Sequence, residues 1–561
     1  MSSFSACCRS RLRSSIASLA LCSLLLCGCG SGPDSSTGGT GNGGNGGGSG
    51  GGGGSTPAAT VTAAARLLDQ SSFGPTSDSI AHVQTVGLQG YLNEQFALPA
   101  TTLPAVPTSL PAQCPNTPVA CLESEFWQNS LTANDQLRQR VALALSEQWV
   151  TSTQSVNGNA VLAYYNVLLN DAFSNWRTIM EDVTLSPSMG LYLNMLNSAK
   201  APAGQIANEN FAREMMQLFS TGLFMLNDDG TEKKDANGNP IPVYTEAQVQ
   251  AFAKAYTGWT FAVAGGGSPA NFPNNKANYT SPMAPVDSAH DMTQKTLLNG
   301  TVIPAGGSAR EDLKIALDNI FAHENLPPFV CRQLIQHLVT STPSDGYVSR
   351  VAAIFRDNGK GVRGDMKAVL TAILMDDEAR AGDANPTYDG GHLREPILYL
   401  TSVMRALDYT TTITDPTNQW RYTSLDTQAA ALGQEPMRSS SVFNFFPPEY
   451  VIPATTLNAP EFSLENTASV ILRLTLADKL SNNKLNNFKT TAFSNGGTLY
   501  SLASTPGDLV DTLGVMFLHG QMPSNMRTKI VNTVIGIGDN ATRARVATYL
   551  VISSSQYKVM H

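Results

Sequence analysis

From residue 60 to residue 553, apolar side chains return every three or four positions in one segment after another. That spacing gathers them on one face of an α-helix. It runs through 60–70, 78–97, 122–151, 159–181, 187–197, 208–221, 245–257, 309–322, 327–340, 345–357, 364–376, 393–408, 464–481, 506–518, 523–535 and 540–553. Asn, Asp, Ser or Thr often opens these segments and Gly often closes them, as helix capping requires. The alternation typical of strands is scarce. One short β-hairpin is expected near 223–244, where Asp229-Gly230 and Asn237-Gly238 are turn pairs. The stretches 262–304 and 409–463 read as long loops, the second carrying the aromatic run S-V-F-N-F-F-P-P-E-Y at 441–450. Loops of that length in a compact domain are usually functional or disordered. The expectation is a mainly α protein: one large multi-helix body with a short β-hairpin and long irregular loops. A split into lobes 57–227 and 245–561 is the natural subdivision, and no repeat of fixed period points to a solenoid.

Charge narrows the function classes. The net charge is −8, with 14% of residues charged. A nucleic-acid binder needs a basic stripe, and none is present. No polybasic membrane surface is visible either.

The first 56 residues are not part of the helical body. Arg9, Arg11 and Arg13 precede the apolar run Ile16 to Leu26, and then Leu26-Cys27-Gly28-Cys29. This is the layout of a secretory signal, and its end resembles a bacterial lipobox. Residues 1–29 then form a lipoprotein signal peptide, with Cys29 as the lipid-bearing residue. The apolar run is short for a membrane span. Residues 30–56 are nearly all Gly, Ser, Thr and Asn. They form a flexible tether with an r.m.s. span of roughly 30 Å. These features predict export and a lipid anchor in the cell envelope, with Gly30 compatible with outer-membrane sorting. Cys114 and Cys121 flank a short loop and form a plausible disulfide in an oxidising compartment. Cys331 lies in a helical apolar pattern and reads as a core thiol.

Several polar groups stand out from this background. On the 208–221 helix, Glu209, Asn210, Arg213, Glu214 and Gln217 share the arc opposite Phe211, Met215 and Phe219. Glu209 precedes Arg213 by four residues, the favourable order for a helical ion pair. Glu209 and Glu214 diverge by about 140° on the wheel, so they do not easily converge on one bond. Asp287, His290 and Asp291, with Lys295 following, are suitable ligands for Zn, Mn or Fe if the loop curls; loop-fixing hydrogen bonds are the simpler account. Asp235, Asn237, Asn239 and Glu246 have the spacing of a calcium loop, but Pro240 stands where the turn-forming Gly belongs. His392, Arg394 and Glu395 precede Pro396 at an expected helix start, where Glu suits the helix dipole and Arg394 could clamp an anion. His337 reads as a boundary histidine on an apolar helical face. Trp259, Phe443, Phe445, Phe446 and Tyr450 are candidates for an aromatic binding platform. There is no H-E-x-x-H, G-x-S-x-G, P-loop or C-x-x-C.

The stretch N-E-N-F-A-R-E-M-M-Q-L-F-S-T-G at 208–222 resembles the signature of an exported bacterial family known as domain-of-unknown-function family 1800. Further matching motifs, in order, are A-A-R-L-L-D-Q-S-S-F-G-P-T at 64–76, L-R-Q-R-V-A-L-A-L-S-E-Q at 137–148 and A-Y-T-G-W at 255–259. H-D-M-T-Q-K-T-L-L-N-G at 290–300, L-R-E-P at 393–396 and the 441–450 run complete the set. Phe219 stands where the family often carries His, so no role of that His carries over. The resemblance implies a mostly helical exported protein, often encoded beside a second exported family resembling sulfatases or phosphatases. It suggests work on an envelope or extracellular polymer.

Two readings follow. In the first, an envelope enzyme uses Glu209 or Glu214 as acid or base, with His290, Asp291 and Lys295 as ligands or proton carriers. Arg213, Arg394 and Glu395 complete its polar wall, and a divalent metal is a candidate cofactor. In the second, a non-catalytic lipoprotein binds a polymer or partner through its aromatic loop.

Overall fold

A computed structural model describes residues 59–104, 118–388, 390–415, 418 and 421–561, with side chains from residue 123 onward in the helix Pro118–Thr132. The signal segment, the tether, Cys29, Cys114 and the side chain of Cys121 lie outside this description. The mainly α expectation holds: twenty-three helices lie among the described residues, with four two-stranded antiparallel pairs of only two residues per strand. The described residues pack as one compact unit.

Several expected helices are broken by their own capping residues. The segment 78–97 divides at Gly87, whose φ of 78° no other residue type adopts cheaply. The segment 122–151 divides into Pro118–Thr132 and Gln136–Gln148, and 159–181 into Gly158–Asp171 and Trp176–Leu185. In the last case Asn175 caps the second piece by accepting from Arg177 N. The 409–463 stretch is not all loop, because Thr423–Ala431 is helical and buries Leu425 and Ala429. Around 223–244 the chain forms a small meander through the bridges Phe224↔Pro242, Leu226↔Glu232 and Lys234↔Pro240.

The core is one continuous cluster running from Ala64 to Tyr557, with Trp127, Trp149, Trp176 and Trp259 fully buried. Its ends are tied by polar groups far apart in sequence. Asp69 of Val61–Ser71 receives both Arg394 guanidinium nitrogens, at 2.5 and 2.6 Å, and His519 Nε2 at 2.9 Å. The C-terminal strand Val559–Met560 pairs with His392–Leu393.

Where Pro118–Thr132 meets Thr423–Ala431, two carboxyl groups are buried with little compensation. Trp127 Nε1 donates to Asp426 Oδ1 at 2.5 Å, while Glu123 Oε1 has no partner. Burial, and then the charge of Asp426, raises the pKa of Glu123; burial likewise raises that of Asp426. The folded carboxyls hold protons that the unfolded chain has already released. Stability therefore falls as pH rises above the ordinary carboxylate range toward the folded pKa values. Glu123→Gln is expected to raise Tm at pH 8–9 by several degrees and leave it nearly unchanged at pH 5, as melting curves across that range would show.

Candidate functional site

Three helix ends and one strand meet beneath the 441–461 segment. On Gln136–Gln148, Arg140 and Glu147 are seven residues apart and so share a face. That face is buried, with Arg140 fully enclosed. The helix Leu326–Leu338 starts on the consecutive Pro327 and Pro328 and brings His337 into its last turn. Pro396 fixes the start of Pro396–Ala406, which leaves Glu395 as its N-cap residue. His392 is held one turn earlier by its pairing with Met560.

These elements bring ligand atoms of Glu147, His337 and Glu395 within 4.8 Å of one another, all three residues being buried. His337 Nδ1 lies 3.1 Å from Glu147 Oε2, yet that oxygen has no hydrogen bond. Glu395 Oε1 also lacks one and sits 3.5 Å from His392 Nε2. The opposite oxygens are held by a single side chain. Gln434 Oε1 accepts from Ile397 N at 3.0 Å, so its amide points both N–H groups at the carboxyls. It donates to Glu147 Oε1 at 2.9 Å and to Glu395 Oε2. Glu461 closes the group, accepting from Leu393 N at 3.1 Å and from the Ser341 hydroxyl.

Burial dominates the electrostatics. It pushes Glu147 up to about 7 and, helped by the charge of Glu147, Glu395 up to about 8. Burial raises Glu461 to about 7 as well. His337 is lowered by burial, and His392 is driven well below its usual value by burial and then by the Arg140 charge. Both imidazoles are thus neutral at pH 7, the form that binds metals. Carboxyls poised near neutrality in one cluster are suited to giving and taking protons. Glu147, His337 and Glu395 could equally hold a metal ion, since two carboxylates and an imidazole suit divalent transition metals.

The group faces a cavity of about 30 Å³, lined among others by Gln148, His337, His392, Phe443 and Glu461. That is room for about two water molecules. Both amide atoms of Gln148 and the Nδ2 of Asn444 are buried without a partner. Phe446 packs over His337 with ring centroids 6.1 Å apart, while Phe443 remains 42% exposed at the mouth.

The family model described as "Protein of unknown function (DUF1800)" matches residues 66–559. The chain belongs to the DUF1800 family. No curated protein and no solved structure matches it.

The candidate residues of this DUF1800 member are distributed differently from their grouping in sequence. Glu395 is in the cluster. Glu209, Arg213 and Glu214 do not line its cavity: Arg213 pairs with Glu209 at 2.9 Å and with Glu246 at 3.0 Å on a half-exposed face. Glu214 is half-buried, and its pKa is raised by burial. The metal reading of Asp287, His290 and Asp291 is corrected, because their ligand atoms do not converge as a group and each takes local hydrogen bonds instead. Asp287 Oδ1 accepts from Ala309 N and Asp291 Oδ1 from Thr293 N, both at 2.9 Å. His290 is enclosed between Thr257 O at 2.9 Å and Asp312 Oδ2 at 3.0 Å, and Lys295 Nζ lies 2.6 Å from the same Asp312 oxygen.

In the calcium-loop candidate of Asp235, Asn237, Asn239 and Glu246, both carboxylates already have partners within the chain. Asp235 Oδ1 accepts from Asn237 N and Asn239 N at 2.8 and 2.9 Å, and Glu246 is taken by Arg213. Arg394 is not free to clamp an anion, because Asp69 occupies its guanidinium. Trp259 is fully buried and offers no platform, whereas Phe445 and Tyr450 are partly exposed. Glu147, His337, His392, Gln434 and Glu461 were not singled out as a site by sequence. The available signal was Arg140 and Glu147 seven apart on one helix, flanking the apolar run Val141–Leu145 of a matching motif.

Proposed function

We propose that this protein is exported and anchored through Cys29 in the bacterial cell envelope, where it processes an extracellular or envelope polymer. Its working groups are Glu147 and Glu395, with a divalent metal as cofactor, and the outer membrane is its expected location. The observation that carries this reading is the meeting of two buried carboxyls of near-neutral pKa in one cluster, of which Glu147 lines the cavity. In a hydrolytic step the protonated carboxyl gives its proton to the leaving group while the ionised one takes a proton from water. The cavity is too small for a polymer chain, so the reacting group reaches it only when the strap bearing Phe443 swings aside. A co-exported sulfatase- or phosphatase-like protein remains the proposed partner.

The test is a screen of the full chain on envelope and extracellular polymers, reading released ends. Glu147→Gln and Glu395→Gln are each expected to lower the rate by about 10²–10⁴ while the fold persists. Undiminished turnover in both folded variants would remove these groups from the chemistry. A non-catalytic binding role is favoured by one separate observation: Phe443, Val451 and Leu457 are exposed apolar groups on the strap. Polymer retention that survives both substitutions but is lost in Phe443→Ala, with no turnover in the parent, would select that role.

A further inference from the structure

We infer that Glu147, His337 and Glu395 bind one divalent transition-metal ion, and that Gln434 positions two of its three ligands. The inference deepens the reading of this cluster as the working site and assigns the class of ion it takes. The first support is the pattern of satisfied and unsatisfied atoms. In each carboxyl the outer oxygen is tied to Gln434, while the inner one, Glu147 Oε2 or Glu395 Oε1, is buried without a hydrogen bond. Buried carboxylate oxygens ordinarily find donors, because an unsatisfied one costs about 1–3 kcal/mol or more. Imidazole nitrogens stand 3.1 Å from the first and 3.5 Å from the second, and neither contact is a hydrogen bond. Ligand atoms of Glu147, His337 and Glu395 converging within 4.8 Å of one another are what a shared cation requires.

Charge supplies the second support. Among the described residues, the fully enclosed Arg140 is the arginine charge acting on Glu147 and Glu395, and its hydrogen bond goes to the His337 carbonyl rather than to a carboxylate. A divalent ion would bind the ionised forms of these carboxyls, displacing their protons. Arg140 repels such an ion, but it is outnumbered.

Donor set and size select the class. Calcium prefers six to eight oxygen ligands, and magnesium keeps an octahedral water shell. Three protein ligands including an imidazole, with room for about two waters, suit four- or five-coordinate Zn, Mn or Fe instead. Gln434 is the positioning residue. Its orientation is fixed by Ile397 N, and one amide group sets the separation of both carboxylates. Outer groups of this kind change metal affinity by about 10–100-fold when removed.

The test strips the full chain with chelator, then titrates Zn²⁺, Mn²⁺, Fe²⁺, Ca²⁺ and Mg²⁺ by calorimetry, with Co²⁺ absorption reporting the ligand field. One equivalent of a transition ion is expected, without comparable Ca²⁺ or Mg²⁺ binding. His337→Ala should weaken it at least 100-fold and alter the Co²⁺ bands. Gln434→Ala should weaken it about 10–100-fold, and Gln434→Glu, which restores an acceptor but adds charge, should not rescue it. His290→Ala should leave affinity unchanged. Near-ultraviolet circular dichroism of each variant separates ligand loss from misfolding. No stoichiometric ion, equal Ca²⁺ affinity, or unaltered binding in folded His337→Ala would overturn the assignment. Polymer turnover in a chain that takes up no ion would overturn it while leaving the carboxyl-pair function intact. Tight metal binding without any turnover would do the reverse.

Discussion

Asp69→Ala is expected to lower stability by about 3–5 kcal/mol, the scale for removing one partner of a buried ion pair. Burial alone would raise the Asp69 pKa, but Arg394 and His519 overturn this and hold the carboxyl well below its ordinary range. The Arg394 guanidinium also stacks on Tyr557, 4.6 Å from the ring centroid, and donates from Nε to Tyr557 O at 3.2 Å. Without Asp69 that cation is stranded 2% exposed in the core. Because the folded carboxyl has a depressed pKa, its contribution is present above the unfolded value and fades as pH falls. Asp69→Asn should therefore flatten the acid limb of the stability curve and cost less at low pH than at pH 7. Calorimetric melting of the parent, Asp69→Ala and Asp69→Asn at about pH 2 and pH 7 checks both statements. An Asp69→Ala protein that melts with the parent at pH 7 would show that Arg394 finds another partner.

The second large effect is expected at Asp312. Its Oδ2 receives Lys295 Nζ at 2.6 Å and lies 3.0 Å from His290 Nε2. Lys295 Nζ also donates to Thr293 O at 2.9 Å, with its side chain fully enclosed. Asp312→Ala leaves an uncompensated ammonium group and should cost about 3–5 kcal/mol. Lys295→Met combined with Asp312→Leu should recover most of that loss, because a buried ion pair stabilises little relative to apolar groups of similar size. A double-mutant cycle by melting measures the coupling. Equal destabilisation by the single and double variants would mean that shape, not charge, holds the 287–300 loop.

These two clusters explain which parts of the molecule were legible in sequence. Helix existence follows from local periodicity, and nearly every long segment is present. Boundaries at Gly87 and at Asn134-Asp135 were lost because apolar spacing continued across the break while capping chemistry stopped the helix. Thr423–Ala431 escaped notice because its buried face is only Leu425, Asp426 and Ala429, too sparse to show a period. Charged motifs drew attention wherever residues crowded together in sequence, as at 287–295. Crowding of that kind is often solved locally, by turns that use up every lone pair. Glu147 and His337 gave no sign of a shared site, since they lie on separate helices and meet Glu395 only in the folded core. Glu395 was legible because L-R-E-P is a motif, but its partners were not.

The Asp69 clamp also bears on how the chain reaches its final form. Its two partners lie 325 and 450 residues further along. The first helix therefore carries a carboxylate that cannot be neutralised until almost the whole polypeptide has emerged. Pairings of such high sequence separation make for slow assembly, because loop closure must precede any reward. The body should gain its stability late and all together, leaving the amino-terminal helix dependent on chaperones until Arg394 and His519 arrive.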